Sequence, residues 1–333
     1  MPDKILPLLF CVLISCDQKR EALGSDNEIH VICSEVDRKI IEKYLSKIFI
    51  DTLFTPEPEP YYYLKYSSPE TYSDLKFQSK IVVAAVNRDT SNQGYLLVKK
   101  ILSPIQFEKM ERESPVIIGK DIHAKNQLFI VINAKSDKYL LSTIKEKQNQ
   151  IRKLFNEQFI ARQNRFIFEN DRKILIEDSI KNEFGWSIKV PWGWEVIKKN
   201  SDSNFVWLGK ERPFQWISIG SFNGNLALDQ LTAGNFIWNW PIDNYGFIKF
   251  NNYKFELNQA FNNNSKVWRA QGIWETIDIG EAKGGPFRSY LFFDQDNNKT
   301  YHINYLIHYP GKDKSIYMRQ MDMIANTFNQ NAL

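Results

Sequence analysis

From Ser136 to Glu169 the chain runs without a glycine or a proline. Leu140, Leu141, Ile144, Ile151, Leu154, Phe155, Phe159 and Ile160 recur near a 3.6-residue period, which predicts a long helix with one apolar side. A shorter helix is expected from Lys173 to Ile180. Composition changes across this segment, because all nine tryptophans lie between Trp186 and Trp274. A chain of 333 residues also exceeds the usual size of a single core. We therefore expect an α+β protein of two domains, residues 28–170 and 171–333. Each should be an antiparallel or mixed sheet packed with helices, the two joined by the long helical segment.

Residues 28–34 read as a strand. Glu35 to Ile50 reads as an amphipathic helix, with Val36, Ile40, Ile41, Tyr44, Leu45 and Ile48 on its apolar side. Pro56, Pro58 and Pro60 forbid helix and central strand alike, so the segment is a rigid extended connection. Strands are expected at Tyr61 to Tyr66, Ile81 to Val86, Tyr95 to Ile101 and Leu128 to Ile132. A helix should start at Ser68-Pro69, and a short one at Pro104 to Glu111.

The second part reads as β-rich: Phe205 to Leu208, Trp216 to Phe222, Lys254 to Phe261, Val267 to Ile277, Ser289 to Asp294 and Tyr301 to Tyr309. The last alternates cleanly, with Tyr301, Ile303, Tyr305, Ile307 and Tyr309 on one face and His302, Asn304, Leu306 and His308 on the other. Asp294 to Lys299 is its hairpin turn, and Ile316 to Phe328 a closing helix.

The N-terminus carries an address. Lys4 precedes an apolar run from Ile5 to Ile14, too short to span about 30 Å of hydrocarbon, which takes roughly 20 helical residues. Its length suits a signal peptide, residues 1–15. Leu13-Ile14-Ser15-Cys16 resembles a lipobox, in which the cysteine thiol accepts diacylglycerol. Residues 16–27 then form a lipidated cysteine and a polar tether with a reach of roughly 18 Å. With Cys11 removed and Cys16 lipidated, Cys33 stands alone, and no disulfide framework is expected. The implied location is the cell envelope, with the body held to a membrane through lipid on Cys16.

Net charge is only +4, and the one dense basic stretch, Lys145 to Arg172, is interleaved with Glu146, Glu157, Glu169 and Asp171. That is a solvated helix surface rather than the concentrated basic stripe of a nucleic-acid binder, so no nucleic acid is expected.

Two resemblances follow. Val190-Pro191-x-Gly193-Trp194, followed by a meander and a terminal helix, resembles the PsbP/Mog1-like α/β/α sandwich, which implies that fold for the second domain. The mature chain also resembles a bacterial lipoprotein family, the domain of unknown function 4837. That resemblance rests on Pro56-Glu57-Pro58-Glu59-Pro60, on Gly284 to Tyr290, and on Tyr309-Pro310-Gly311-Lys312 through Tyr317 to Gln320. It implies an address and no activity.

The chain carries no complete catalytic, metal or nucleotide motif. Gly220-Ser221-Phe222-Asn223-Gly224 lacks the glycine spacing of a nucleophile elbow. His302 and His308 share a strand face, but six residues at about 3.3 Å each put them roughly 20 Å apart, too far for one metal ion. Both are expected to be half-exposed sheet residues. Asp294-x-Asp296-x-Asn298 copies the start of a calcium loop but has Lys299 and Tyr305 where glycine and glutamate belong. Neither a metal nor another cofactor is implied. Glu275, Asp278 and Glu281 could do acid/base work on a glycan. Tryptophans can stack on sugars or anchor a protein interface. The favoured expectation is a non-enzymatic binding or assembly module whose partner, an envelope protein or glycan, meets Trp192, Trp194, Trp238, Trp240, Phe287 and Arg288. The alternative is a glycan- or peptidoglycan-acting hydrolase using the acids at 275–281.

Overall fold

The computed structural model describes residues 19–330 apart from 54–56, 170, 263–264, 279 and 281. The signal segment, Cys16, Pro56 and Glu281 lie outside the described residues. The first part contains β1 (Glu28–Cys33), α1 (Glu35–Ile48), β2 (Thr52–Leu53), β3 (Glu59–Pro60) and β4 (Tyr63–Ser67). A 3-10 turn at Pro69–Thr71 leads into α2 (Tyr72–Leu75). There follow β5 (Lys80–Val86), α3 (Gln93–Ile101), α4 (Pro104–Arg112), β6 (Val116–Lys120), β7 (Leu128–Ala134), α5 (Asp137–Ser142) and α6 (Ile144–Phe168).

Its five-stranded sheet has the order β4-β1-β5-β7-β6. The pairs are parallel except the one that β6 makes with β7, so the sheet is mixed. Every residue of β5 and β7 is buried, because helices cover both faces. The cluster around Val82, Ile130, Ile41, Tyr44 and Phe155 packs α1, α5 and α6 on one face. The cluster around Ile81, Val83, Tyr95, Val98 and Met110 packs α3 and α4 on the other. Strands enclosed in this way read as continuous apolar runs, which is why Ile81 to Val86 was legible.

The second part contains α7 (Ile174–Phe184), β8 (Glu195–Asn200), β9 (Phe205–Lys210), β10 (Phe214–Asn223), α8 (Gln230–Asn244), β11 (Ile248–Asn262), β12 (Ser265–Thr276), β13 (Gly284–Asp294), β14 (Lys299–His308) and α9 (Ser315–Ala325). Its seven-stranded sheet, ordered β11-β12-β13-β14-β10-β9-β8, is antiparallel throughout. Tyr301, Ile303, Tyr305 and Ile307 face α7 and α9 in one core. Leu306 joins Ala233, Ile237 and Trp240 of α8 in the opposite core. The chain is thus an α+β protein, and this part is a three-layer sandwich.

Several expectations are corrected. Tyr95 to Ile101 is helical rather than a strand. The Asn92 side chain accepts from Gly94 N and Tyr95 N, which starts α3; Tyr95 and Val98 are buried in the core, Leu97 and Ile101 pack against it, and Leu96 stays exposed. Val36 is exposed, and Asp37 takes the buried position beside it. The long helix is divided after α5, where Thr143 N and Oγ1 both bond back to Leu140 O. Strands β6 and β8 were not anticipated. Residues 19–27 are docked rather than loose. Ala22 N donates to Lys125 O, Leu23 N to Phe77 O, and Ser79 N to Leu23 O, while the Asp26 carboxylate is held by Arg162 and Gln163 of α6.

The two parts share side chains. Leu53 and Ile167 of the first part lie in the α7–α9 core of the second. Arg319 of α9 lays its guanidinium 3.3 Å from the Phe159 ring centroid and donates to Tyr62 OH at 3.0 Å and Asn156 Oδ1 at 3.1 Å. Gln320 donates to Gln163 at 2.7 Å.

Candidate functional site

A cleft of about 1120 Å³ opens where the two parts meet. One wall is the proline-rich segment from Glu57 to Pro60, with Tyr63. The other is the end of the large sheet: Ile273 to Asp278 and Ala282 to Gly285 of the β12–β13 hairpin, Lys249 of β11, and the β14–α9 loop from His308 to Lys314. The prolines keep the first wall extended, since neither helix nor a central strand tolerates them. Gly311 has φ +66°, a conformation suited to glycine, and turns the loop that ends β14.

Across the cleft floor the walls are tied together. The Glu59 carboxylate is almost buried; it accepts from Lys314 N and, at 2.9 Å, from Ser315 N. It also pairs with Lys314 Nζ at 2.7 Å. A carboxylate from one part therefore caps the N-terminus of a helix in the other, where free backbone donors and the helix dipole favour negative charge. Burial, together with the neighbouring Asp313 carboxylate, pushes the Tyr63 phenol up to about 12.

On the sheet side, charge is paired across strands. Glu275 Oε1 lies 3.3 Å from Lys249 Nζ and Oε2 accepts from Asn251 Nδ2 at 2.7 Å. Asp278 Oδ1 accepts from Gly280 N at 2.8 Å. His308 Nδ1 lies 2.9 Å from Gly284 O. A carbonyl can only accept, so the neutral ring carries its proton on Nδ1. Trp274 forms a buried wall whose Nε1 donates to Ile307 O at 3.1 Å. Glu275 and Asp278 do share a cleft, but both oxygens of Glu275 are engaged by Lys249 and Asn251 of β11, and one of Asp278 by Gly280 N.

The aromatic residues proposed for partner contact are not an exposed set. Trp194, Trp240 and Phe287 are buried to 2% exposure or less. Trp240 donates to Ser218 Oγ, and Phe287 stacks on Phe250 with ring centroids 3.6 Å apart. Trp238 is partly covered and packs on Phe255. Arg288 is 3% exposed and paired with Asp322 of α9. Only Trp192, 62% exposed, is free for contact. The expected patch is therefore dispersed, because alternate positions of an enclosed sheet are buried on both faces. His302, expected half-exposed, is fully buried against Trp240 and Phe236; His308 is half-buried in the cleft.

The calcium-like segment is a hairpin turn in which the Asp294 side chain accepts from Asp296 N, Asn297 N and Asn297 Nδ2. Among the described residues no His, Cys, Asp and Glu cluster could hold a metal ion. Sequence reasoning missed Glu59, Tyr63, Lys249 and Lys314 as cleft residues. The alternation of glutamate and proline at 56–60 was the one available signal.

Residues 244–327 match the family described as Domain of unknown function (DUF4837). Residues 22–168 match a second family, Domain of unknown function (DUF8532). The resemblance to DUF4837 therefore holds over residues 244–327, which contain two of its three groups of motif residues. The Pro56–Pro60 group falls in the DUF8532 match instead. All three groups contribute to the cleft walls. No curated protein matches the chain significantly. Among solved structures, Mog1p of Saccharomyces cerevisiae, described as a Ran-binding protein, matches at 10% identity and a TM-score of 0.31, covering 44% of this chain and 90% of that one. LpqN of Mycobacterium tuberculosis, described as involved in cell envelope biogenesis, matches at 10% identity and a TM-score of 0.27, covering 43% and 82%.

Proposed function

We propose that the protein is a lipid-anchored, non-enzymatic binding module of the cell envelope whose partner enters the cleft between its two parts. The observation that carries the binding site is the cleft itself. It is large, walled by both parts, and lined by acidic, basic and apolar groups together, a composition suited to a partner carrying both charges. The hydrolytic alternative gains no support from Glu275 and Asp278, since a general acid and base must be free to exchange protons with a substrate. The anchor rests on the sequence from Lys4 to Cys16.

Two experiments test this reading. Intact mass and membrane partitioning of the wild type and Cys16→Ser, expressed in a bacterial host, should show loss of residues 1–15 and an acyl-sized gain in the wild type alone. A soluble, unprocessed wild type would remove the anchor. For the cleft, a photo-crosslinking side chain at exposed Ile277 should trap an adduct in cells, whereas the same group at Leu175, 86% exposed and outside the cleft, should not. Equal trapping at both positions, or none at Ile277, would count against the cleft.

A further inference from the structure

The docked N-terminal segment says where a membrane would lie. Lys19 Nζ donates to the carbonyls of Asp121 at 2.6 Å and Ile122 at 3.1 Å. Lys125 N donates to Arg20 O. The chain is thus attached to the first part from Lys19 onward. Cys16 precedes Lys19 by three residues, and three residues reach at most about 11 Å. A lipid on Cys16 would hold this face, and no other, against the bilayer.

The face suits that neighbour. The Arg20 guanidinium and Lys76 Nζ both lie 5.2 Å from the Phe77 ring centroid. Lys76 and Lys100 flank a hollow of about 360 Å³ that is also lined by Tyr72, Ile122 and His123. Lys125, whose backbone pairs with Arg20 and Ala22, is exposed. Ile122 and Leu23 are 44% and 42% exposed. Of the nearby acids, Glu21 is taken up by Arg165 and Asn126, and Asp121 accepts from Gln127 N; Asp74 is exposed on α2. Cations around a protruding apolar side chain match an anionic headgroup layer, which attracts lysine and arginine within a Debye length.

We propose that Lys19, Arg20, Lys76, Lys100 and Lys125, grouped around Ile122, form a docking surface for an anionic phospholipid bilayer. This surface sets the orientation of the anchored protein. The orientation rests on lipidation of Cys16; the surface is testable without it.

The test uses Cys16→Ser protein sedimented with phosphatidylglycerol–phosphatidylcholine vesicles or with phosphatidylcholine alone. Retention should require the anionic lipid and be lost in 500 mM salt. Adding Lys76→Glu and Lys125→Glu should weaken retention roughly tenfold or more. Lys39→Glu with Lys43→Glu, exposed on α1 across the sheet from α3, should leave it unchanged. Unaltered thermal melting would show that both pairs fold. Retention equal on the two vesicle types, absent, or lost equally in the α1 pair would overturn the surface. So would capture by polyglutamate with no vesicle binding, which would assign the face to an acidic protein. An unlipidated wild type beside intact vesicle binding by Cys16→Ser would sink the anchor and keep the surface.

Discussion

His302 sits fully buried between Trp240 and Phe236, and neither ring nitrogen has a hydrogen-bond partner among the described residues. Burial pushes its pKa down to about 3. The unfolded chain takes up this proton below about pH 6.5 while the folded chain refuses it until about pH 3. Stability is therefore lost as pH falls through that window, by up to about 1.4 kcal/mol per unit. His302→Phe keeps the ring and removes the titration. Urea unfolding at pH 7 and pH 4.5 should show the variant gaining about 2.5 kcal/mol on wild type at the lower pH; an unchanged difference would mean the ring is solvated. Arg288 is the contrasting case, a buried charge with a partner. Asp322→Ala would strand it, costing about 3–5 kcal/mol, while Arg288→Met with Asp322→Ala should cost much less. A double-mutant cycle by denaturation measures the coupling.

Helix starts show how local chemistry overrides apolar pattern at the scale of elements. Asn92 accepts from Gly94 N and Tyr95 N and donates to the buried Asp37 carboxylate at 2.8 Å. It therefore both starts α3 and links it to α1. Asn92→Ala should destabilise the protein by about 2 kcal/mol, the loss of a cap plus a hydrogen bond to a buried charge. Asn92→Asp should not rescue it, since a second carboxylate would face Asp37. Denaturant midpoints of the two variants check both statements. At α9 the cap comes from Glu59, far away in sequence, so no local motif at Lys314-Ser315 announces it.

The interface governs the behaviour of the whole molecule. Leu53 and Ile167 complete a core that belongs mostly to the other part, and Arg319, Gln320 and Glu59 add polar ties. Shared cores make parts unfold together. We expect one calorimetric transition for the wild type, and two for Arg319→Ala combined with Glu59→Ala, with α9 amides exchanging faster in the variant. Two transitions in the wild type would show that the contacts between the parts contribute little. Cleft binding and this coupling are linked, since Glu59 and Lys314 both line the cleft and close its floor.

Sequence alone determined the features whose cause is local or periodic. The alternation from Tyr301 to Tyr309 specified β14 and its two faces, the unbroken run from Ser136 to Glu169 specified helix, which the structure divides into α5 and α6, and Ile81 to Val86 specified a buried strand. Burial of particular side chains was decided only by the tertiary structure. Trp194, Trp240, Phe287 and Arg288 look like contact residues until the sandwich encloses them, because sequence gives a residue's face and not what covers it. The cleft had the same origin. Glu59, Lys249, His308 and Lys314 lie on segments widely separated along the chain, and only packing of the two parts brings their charges together.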